Sequence, residues 1–252
     1  MTLGGNIGSP AEITSLMMWW QDAGLDVLVD EAPRNWLATA GRSAPAPDAE
    51  QQAVARQRSA APATPASSPV TFPETLPAFQ AWLASSDKLT IPLHARIAAA
   101  GDPRSGLMVL VDLPEAEDVA SGKLLSGPAG ALFDKMIAAI GRSRETLYLS
   151  AMAPGRPSGG YVDKASGALF VELARHHVAL AKPRALLLMG DQPARAFLGQ
   201  GFVEARGRVH DVALPGGNAK AVVSFHPRTL LQHPDQKRRA WEDLQMLMKI
   251  FG

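Results

Sequence analysis

The chain has 252 residues, 46% of them hydrophobic, which is enough for one α/β domain with an appended segment. Its formal net charge of +1 excludes a polycation, so any affinity for nucleic acid must come from a local basic patch. The chain contains no cysteine, which excludes disulfides and metals or clusters held by thiolates.

The N-terminal residues 1–37 show a helical pattern. Leu16, Trp19 and Trp20 fall on one face of a predicted helix that ends near Gly24. Two interpretations stay open for this face. It anchors the segment onto the main domain, or it binds a protein partner, since the segment precedes a tether.

Residues 38–71 are rich in Ala, Pro, Ser and Gln and contain no aromatic residue. Such a segment cannot bury enough apolar surface to offset its conformational entropy, so we predict a disordered linker followed by a domain over residues 72–252. No stretch has the basic start and apolar run of an export signal, and none approaches the length of a membrane helix. We therefore expect a cytoplasmic monomer without membrane contact.

Beyond the linker, apolar runs alternate with helical patterns. The run Leu107–Asp112 is continuously apolar up to its last residue, as expected of a parallel strand covered on both faces. Further strands are predicted at 146–150, 184–190 and 220–225. Repeated strand–helix units predict a three-layer α/β/α sandwich with a central four-stranded, mainly parallel sheet.

Ligands of such sheets bind at the carboxyl ends of the strands. These predicted ends are Asp112–Pro114, Ser150–Met152, Gly190–Gln192 and His226–Pro227. A histidine at this position can donate to a developing oxyanion, transfer a proton or bind a metal, or it can merely cap the strand. No His, Asp or Glu cluster with ligand spacing accompanies it, so no metal site is predicted.

Carboxylates follow the first strand. Asp112 could orient a water molecule or stabilise a cationic transition state. Glu115, Glu117 and Asp118 come directly after it, and the pattern favours an acidic, solvated loop for these three.

Two short basic clusters, Arg206–Arg208 and Lys237–Arg239, are candidate phosphate contacts or simply solvated surface. The adjacent His176 and His177 lie in a predicted helix and point to different faces. We expect one of these two side chains to be solvated and the other to be half-buried.

Several stretches of the sequence match one family in order. They are PEAEDVASGKLLSGPAGALFDKMIAAIGRSRETLYLS, GRP, KPRALLLMG, ARGRVHD and FHPRTLLQHPDQKRRAWEDLQ. From about Leu107 to Phe251 the chain resembles the uracil-DNA glycosylase superfamily, and within it the bacterial iron–sulfur branch, the family-four enzymes. The first stretch is similar to the family's first motif and following helix, and the last one to its His-Pro motif and terminal helix.

The resemblance implies a protein that flips a base out of DNA and hydrolyses its glycosidic bond. His226 matches the histidine that donates to the departing uracil oxygen as negative charge develops. Asp112 takes the place of the glutamate in the first motif. The residues that the resemblance places against the DNA are Arg206, Arg208, Arg228 and Lys237.

The base pocket implied by the resemblance departs from the family pattern. In the first motif Gly-Glu-x-Pro-Gly only Pro114 survives, and Glu115 replaces a glycine that approaches the base. Leu125 replaces the aromatic that stacks on uracil, and so loses most of a stacking energy of about 1–3 kcal/mol per base. Ala151 replaces the asparagine that reads the uracil edge and cannot hydrogen-bond through its side chain.

The cluster cysteines of the family are also missing. Their positions fall on Gly155, Phe170 and Leu89. We therefore expect apolar packing in place of the cluster, and no cofactor.

Two functions stay open. The first is a uracil-DNA glycosylase-like, DNA-binding protein of the base-excision-repair type, with a degenerate pocket and weak or no activity on uracil. The alternative is an active, cluster-free glycosylase for uracil or another damaged base, with His226 as electrophile and Asp112 acting on water or charge. The expected DNA is single-stranded or carries a flipped base, and a protein partner of the N-terminal helix is compatible with both.

Overall fold

The computed structural model describes residues 71–215 and 217–251. Its strands are β1 Ala100–Gly101, β2 Leu107–Val111, β3 Tyr148–Ala151, β4 Ala185–Met189, β5 Val209–Leu214 and β6 Gly217–Ser224. They form one sheet in the order β1-β3-β2-β4-β6-β5. The four central strands are parallel, and the two edge strands pair antiparallel with their neighbours. The predicted four-stranded parallel sheet is confirmed as the centre of this larger sheet.

Helices flank the sheet. They are α1 Leu76–Ser85, α2 Ala116–Ser121, α3 Gly127–Ala139, α4 Lys164–Ala181, α5 Asp191–Leu198, α6 Phe202–Ala205, α7 Pro227–Gln232 and α8 Lys237–Phe251. Helices α3, α7 and α8 contribute buried residues to one apolar cluster with the sheet, and α4, α5 and α6 contribute to another. The α/β architecture with helices on both sides of the sheet is therefore confirmed.

The strand β2 shows why the central strands read as unbroken apolar runs. Val109 belongs to the cluster on the α3 side, whereas its neighbours Met108 and Leu110 belong to the cluster on the α4 side. Successive side chains of a strand point to opposite faces, and both faces are covered here. All five residues of β2 are buried.

The sequence pattern does not predict the two edge strands. Strand β1 has only two residues, both exposed, and the edge strand β5 mixes exposed and buried positions without a continuous apolar run. The parallel register aligns Met108 with Tyr148 and Leu107 with Ala185. It brings the carboxyl ends of the four central strands to one side of the domain.

The predicted N-terminal segment 1–37 and nearly all of the predicted linker 38–71 lie outside the described residues, so these boundaries stay predictions. Between residues 71 and 251, no described helix combines the length and apolar character that crossing a membrane requires.

Candidate active site

Residues from three of the four parallel strands border the carboxyl edge of the sheet. Asp112 directly follows β2, Gly190 follows β4, and His226 comes two residues after the end of β6. Gly190 has a φ of +104°, a conformation that residues with a Cβ rarely adopt, and its N–H donates to the Ser224 carbonyl at 3.0 Å. This glycine lets the chain turn sharply out of β4 and into α5 beside His226.

His226 is held in one orientation by the helix that it precedes. It is the N-cap of α7, and its Nδ1 accepts a hydrogen bond from the backbone N–H of Arg228 at 3.2 Å. Burial lowers the pKa of His226, and the negative charge of Asp112 opposes that shift. A neutral imidazole that accepts at Nδ1 carries its proton on Nε2.

The Nε2 atom of His226 is buried and has no hydrogen-bond partner among the described residues. The side chain is only 4% exposed, so bulk water does not satisfy this donor. The sequence leaves open whether the histidine caps an element or acts on a ligand. The structure assigns the cap to Nδ1, so Nε2 is the ring nitrogen that the cap does not use.

Asp112 presents a second unsatisfied atom. Its Oδ1 is buried without a partner in the part of the chain that the structure describes, while its Oδ2 lies 3.9 Å from Nη2 of Arg228. Buried polar atoms are almost always hydrogen-bonded, and those that are not mark sites where a ligand or water completes the arrangement. A free donor on His226 and a free acceptor on Asp112 therefore occur at the same edge.

The loop after Asp112 is ordered by carboxylates, and the prediction of an acidic, solvated loop is wrong for two of its three members. Asp118 is 1% exposed and accepts from Glu115 N at 3.0 Å, Ser126 N at 2.7 Å and Ser126 Oγ at 2.8 Å. The start of α2 has backbone N–H groups without helical partners, and side-chain acceptors satisfy them. Glu117 is exposed, as expected.

Glu115 is paired across the site. Its Oε1 accepts from Nη1 of Arg228 at 2.5 Å, although the two residues are 113 positions apart. Burial raises the pKa of Glu115, and the positive charge of Arg228 opposes this. The ion pair connects the loop after β2 to the helix after β6. It also neutralises the charge of the Arg228 guanidinium, which lies at the surface.

The three predicted pocket residues have different surroundings. Pro114 is buried, and its carbonyl accepts from Nη1 of Arg156 at 2.9 Å. Ala151 is half-buried at the end of β3. Leu125 is 1% exposed and belongs to the core cluster on the α3 side, so the expectation that it lines a base pocket is corrected. A leucine at this place is drawn into the core because burial of its side chain is favourable there.

Arg206 is not available to DNA, which corrects its predicted role. Its Nη1 donates to Oδ1 and Oδ2 of Asp243 at 2.9 and 3.1 Å and to the carbonyl of Arg239 at 3.2 Å. Its guanidinium also lies 5.1 Å from the centroid of the Phe225 ring. Asp243 is fully buried, and burial raises its pKa to about 6, against the opposing effect of Arg206. A buried carboxylate requires such a partner, so Arg206 stabilises the fold.

The other predicted DNA contacts are exposed. Arg208 donates from Nη2 to Gln200 Oε1 and to the Glu204 carbonyl, both at 2.9 Å, while its side chain stays at the surface. Arg228 and Lys237 are also exposed. These three cations remain candidates for phosphate contacts.

The positions that match the cluster cysteines lie in and around one apolar cluster. Leu89 and Phe170 are buried together in it, and a Cβ added to Gly155 would lie 2.4 Å from the Ala95 carbonyl oxygen. The guanidinium of Arg96 donates to the carbonyls of Leu83, Leu89 and Ile91 and so holds the same segment together. These residues do not fit an iron–sulfur cluster, which needs thiolate ligands. Among the described residues no group of three or more His, Cys, Asp or Glu could hold a metal.

The histidine pair of α4 has a structural role. His177 is buried, with its Nε2 2.7 Å from the Tyr148 hydroxyl and its Nδ1 3.2 Å from Ser150 Oγ. Burial lowers the pKa of His177 to about 4. His176 lies with Nε2 2.8 Å from the Pro73 carbonyl, so it is partly buried rather than solvated.

A cavity beside Asp112 was not predicted from the sequence. It has a volume of about 470 Å³, and its lining includes Asp112, Met152, Tyr161, Phe170 and Gln192. We call it the Tyr161 cavity. The sequence signal that could have revealed it is the glycine-rich loop SGGY after β3, because loops at the carboxyl ends of parallel strands carry ligand-binding residues.

The chain is similar in sequence to known proteins of one superfamily. The family model of the Uracil DNA glycosylase superfamily matches residues 98–245, which include every strand of the sheet and most of α8. A type-4 uracil-DNA glycosylase of Pyrobaculum aerophilum is 19% identical over 166 residues, covering 62% of this chain and 85% of the relative. A type-4 uracil-DNA glycosylase of Archaeoglobus fulgidus is 21% identical over 168 residues, covering 62% of this chain and 82% of the relative.

Proposed function

Because the chain belongs to the Uracil DNA glycosylase superfamily, we propose that it binds DNA and holds a flipped base near Asp112 and His226, with weak or no activity on uracil. The observation that carries the proposal is the pair of unsatisfied buried atoms, Oδ1 of Asp112 and Nε2 of His226. A protein that used this edge only for packing would not keep a buried donor and a buried acceptor without partners.

The surroundings of the two atoms support the proposed low activity on uracil. The side chain of Ala151 offers no hydrogen bond to the edge of a base, and Leu125 is buried in the core and offers no stacking surface. A site that lacks the group reading a substrate's polar edge loses selectivity for that substrate by orders of magnitude. The proposed base is therefore recognised by other side chains.

The same two unsatisfied atoms favour a second candidate function, hydrolysis of the N-glycosidic bond of the flipped base. A water molecule adds to C1′ of the sugar while Oδ1 of Asp112 accepts one of its protons. The bond between C1′ and the base nitrogen breaks, and its electron pair leaves with the base. The Nε2–H of His226 donates a hydrogen bond to the anion that develops, so the imidazole need not be protonated. The products are an abasic sugar with a new hydroxyl and a base that takes up the proton.

The charge arrangement suits a strand of DNA at this edge. Arg208, Arg228 and Lys237 are exposed cations, and single-stranded DNA is bound mainly through such contacts to its phosphates. Arg228 is paired with Glu115 in the absence of DNA, and a phosphate would have to compete with that carboxylate. We therefore expect weak binding that depends steeply on salt.

The first experiment measures binding of a fluorescent single-stranded oligonucleotide at several salt concentrations. Replacing Arg208 and Lys237 together by alanine should reduce the salt slope by about 0.7 for each lost phosphate contact. The matched control is Arg104→Ala, an exposed arginine that precedes β2 at the opposite edge of the sheet. Equal slopes for the double variant and the control would refute the proposed DNA face.

The second experiment tests catalysis. Oligonucleotides that each carry one damaged base are incubated with the protein, and abasic sites are detected by strand cleavage in alkali. Excision that disappears in Asp112→Asn and in His226→Ala supports the second candidate. If base excision persists in either variant and that variant is folded, Asp112 and His226 do not carry out the reaction together.

A further inference from the structure

The Tyr161 cavity adjoins the unsatisfied carboxylate of the proposed site and is large enough for more than a single-ring base. Its volume of about 470 Å³ lies within the range of about 300–1,000 Å³ that is typical of small-molecule clefts. Asp112 is part of its lining, so a molecule in the cavity lies against the residue that carries the unsatisfied Oδ1.

Tyr161 supplies an aromatic surface at this cavity. Its side chain is 77% exposed, which is unusual for a large aromatic residue and leaves a ring face free for a ligand. Both flanks of the residue are anchored. Arg156, earlier in the same loop, donates to the Pro114 carbonyl, and Asp163 caps α4 by accepting from the N–H groups of Ala165 and Ser166 at 2.9 Å.

The neighbouring Gly160 shows how closely this loop is packed. It has a φ of +70°, and a Cβ added there would lie 2.7 Å from Nη2 of Arg156. The glycine therefore allows the guanidinium of Arg156 to lie against the loop that carries Tyr161. A ring held on such a loop loses less freedom on binding a ligand than a ring on an unanchored loop would.

Gln192 brings a carboxamide to the lining of this cavity. It is the second residue of α5, directly after the turn at Gly190, and it lines the Tyr161 cavity. A carboxamide offers both a donor and an acceptor, and it pairs in a bidentate manner with a base edge that presents one of each. Buried apolar walls are provided by Met152 and Phe170.

We propose that the Tyr161 cavity binds a flipped purine, which stacks on Tyr161 and is read by the amide of Gln192. A two-ring base covers more of an aromatic face and of the apolar walls than a pyrimidine does, and it fills more of the cavity. Adjacent donor and acceptor atoms on the six-membered ring of hypoxanthine match the amide. The inference rests on the proposed function, because the purine enters the cavity only as part of bound DNA.

The test uses the full-length protein and four single-stranded oligonucleotides that differ at one central position. That position carries hypoxanthine, adenine, uracil or a stable abasic analogue. The gain in affinity over the abasic analogue measures the contribution of the base itself. The hypoxanthine strand should bind at least about tenfold more tightly than the abasic strand, and the uracil strand should gain less.

Substitutions assign the gain to the two side chains. Tyr161→Ala should remove most of the gain, while Tyr161→Phe should keep it, because stacking needs the ring and not the hydroxyl. Gln192→Leu should reduce the gain at least about fivefold, the lower end of what one bidentate contact discriminates. The matched control is Gln245→Leu, an exposed glutamine of α8, which should bind as the unsubstituted protein does.

The outcomes separate this inference from the proposed function. A hypoxanthine strand that binds no better than the abasic strand, or a uracil strand that gains more, overturns the purine cavity while DNA binding stands. A gain that survives both Tyr161→Ala and Gln192→Leu also overturns it. An adenine strand that gains as much as hypoxanthine supports a purine cavity without preference for damage. Lack of binding to all four strands at low salt overturns the proposed function itself.

Discussion

Replacing Arg206 by alanine is expected to destabilise the fold in a way that depends on pH. Asp243 is fully buried, and its carboxylate keeps only the Ser224 hydroxyl, at 3.1 Å, when the guanidinium is removed. An isolated buried carboxylate takes up a proton instead of staying charged. The pKa of Asp243 is already raised to about 6, and in the variant it should rise further, above the pH of the experiment.

The size of the effect follows from the linkage between protonation and folding. The unfolded carboxyl has an ordinary pKa of 3.8, so the native state of the variant binds a proton that the unfolded state has lost. Relative to the unsubstituted protein, this lowers the free energy of unfolding by about 1 kcal/mol at pH 7, about 3 kcal/mol at pH 8 and close to zero at pH 5. Loss of the hydrogen bond to Arg239 and of the contact with Phe225 adds about 1–2 kcal/mol at every pH.

Urea unfolding followed by circular dichroism at pH 5, 7 and 8 measures these differences. The control compares Asp243→Asn alone with Asp243→Asn plus Arg206→Ala. The cost of Arg206→Ala in this background should be the same at all three pH values, because the amide carries no charge to lose. Arg208→Ala is the matched control and should change stability by less than about 0.5 kcal/mol. An Arg206→Ala variant that is equally destabilised at pH 5 and pH 8, or that loses only DNA affinity, would refute the reasoning.

Three further outcomes are expected. Glu115→Gln should free Arg228 for a phosphate and steepen the salt slope of single-stranded DNA binding by about 0.7, whereas Glu117→Gln, an exposed neighbour, should leave the slope unchanged. His177 has its pKa lowered to about 4 by burial, so between about pH 6.5 and pH 4 only the unfolded chain binds its proton, and stability should fall with pH there by up to about 3 kcal/mol. His177→Gln should remove that loss in urea unfolding at pH 7 and pH 4.5, and an identical loss in the variant would contradict the assignment. Leu125→Phe should lower the free energy of unfolding by about 1–3 kcal/mol, because the larger ring overpacks the core. It should add no affinity for a uracil strand over an abasic strand. A stable variant with improved uracil binding would show that this residue faces the base after all.

The pattern of apolar residues is sufficient to predict the centre of the sheet and the edge where the site lies. The apolar runs of β2, β4 and residues 221–223 of β6 are readable because a stretch of strand covered on both faces is apolar at every position. The positions of Asp112 and His226 follow directly, because each comes just after such a run. The absence of cysteine is likewise sufficient to exclude a thiolate-held cluster, since no other side chain supplies a thiolate.

The edge strands and the chemical state of individual side chains depend on tertiary contacts. Strand β5 lies at the edge of the sheet and has only one buried residue, so its sequence carries a weak and mixed pattern. Whether a cation faces DNA or the interior is decided by its partner. Arg206 finds Asp243, 37 positions further along the chain, whereas the similar Arg208 stays at the surface.

Long-range pairing accounts for these differences. Glu115 meets Arg228 across 113 residues. Tyr161, in the loop after β3, and Gln192, in the first turn of α5, line one cavity. Local periodicity records which face of an element is buried, but it holds no information on which distant side chain lies opposite. Leu125 illustrates the limit, since the family resemblance placed it in a base pocket and the packing of α3 against the sheet placed it in the core. The sequence therefore predicts the edge of the sheet where the candidate site lies, and the folded chain decides which side chains at that edge are paired with one another.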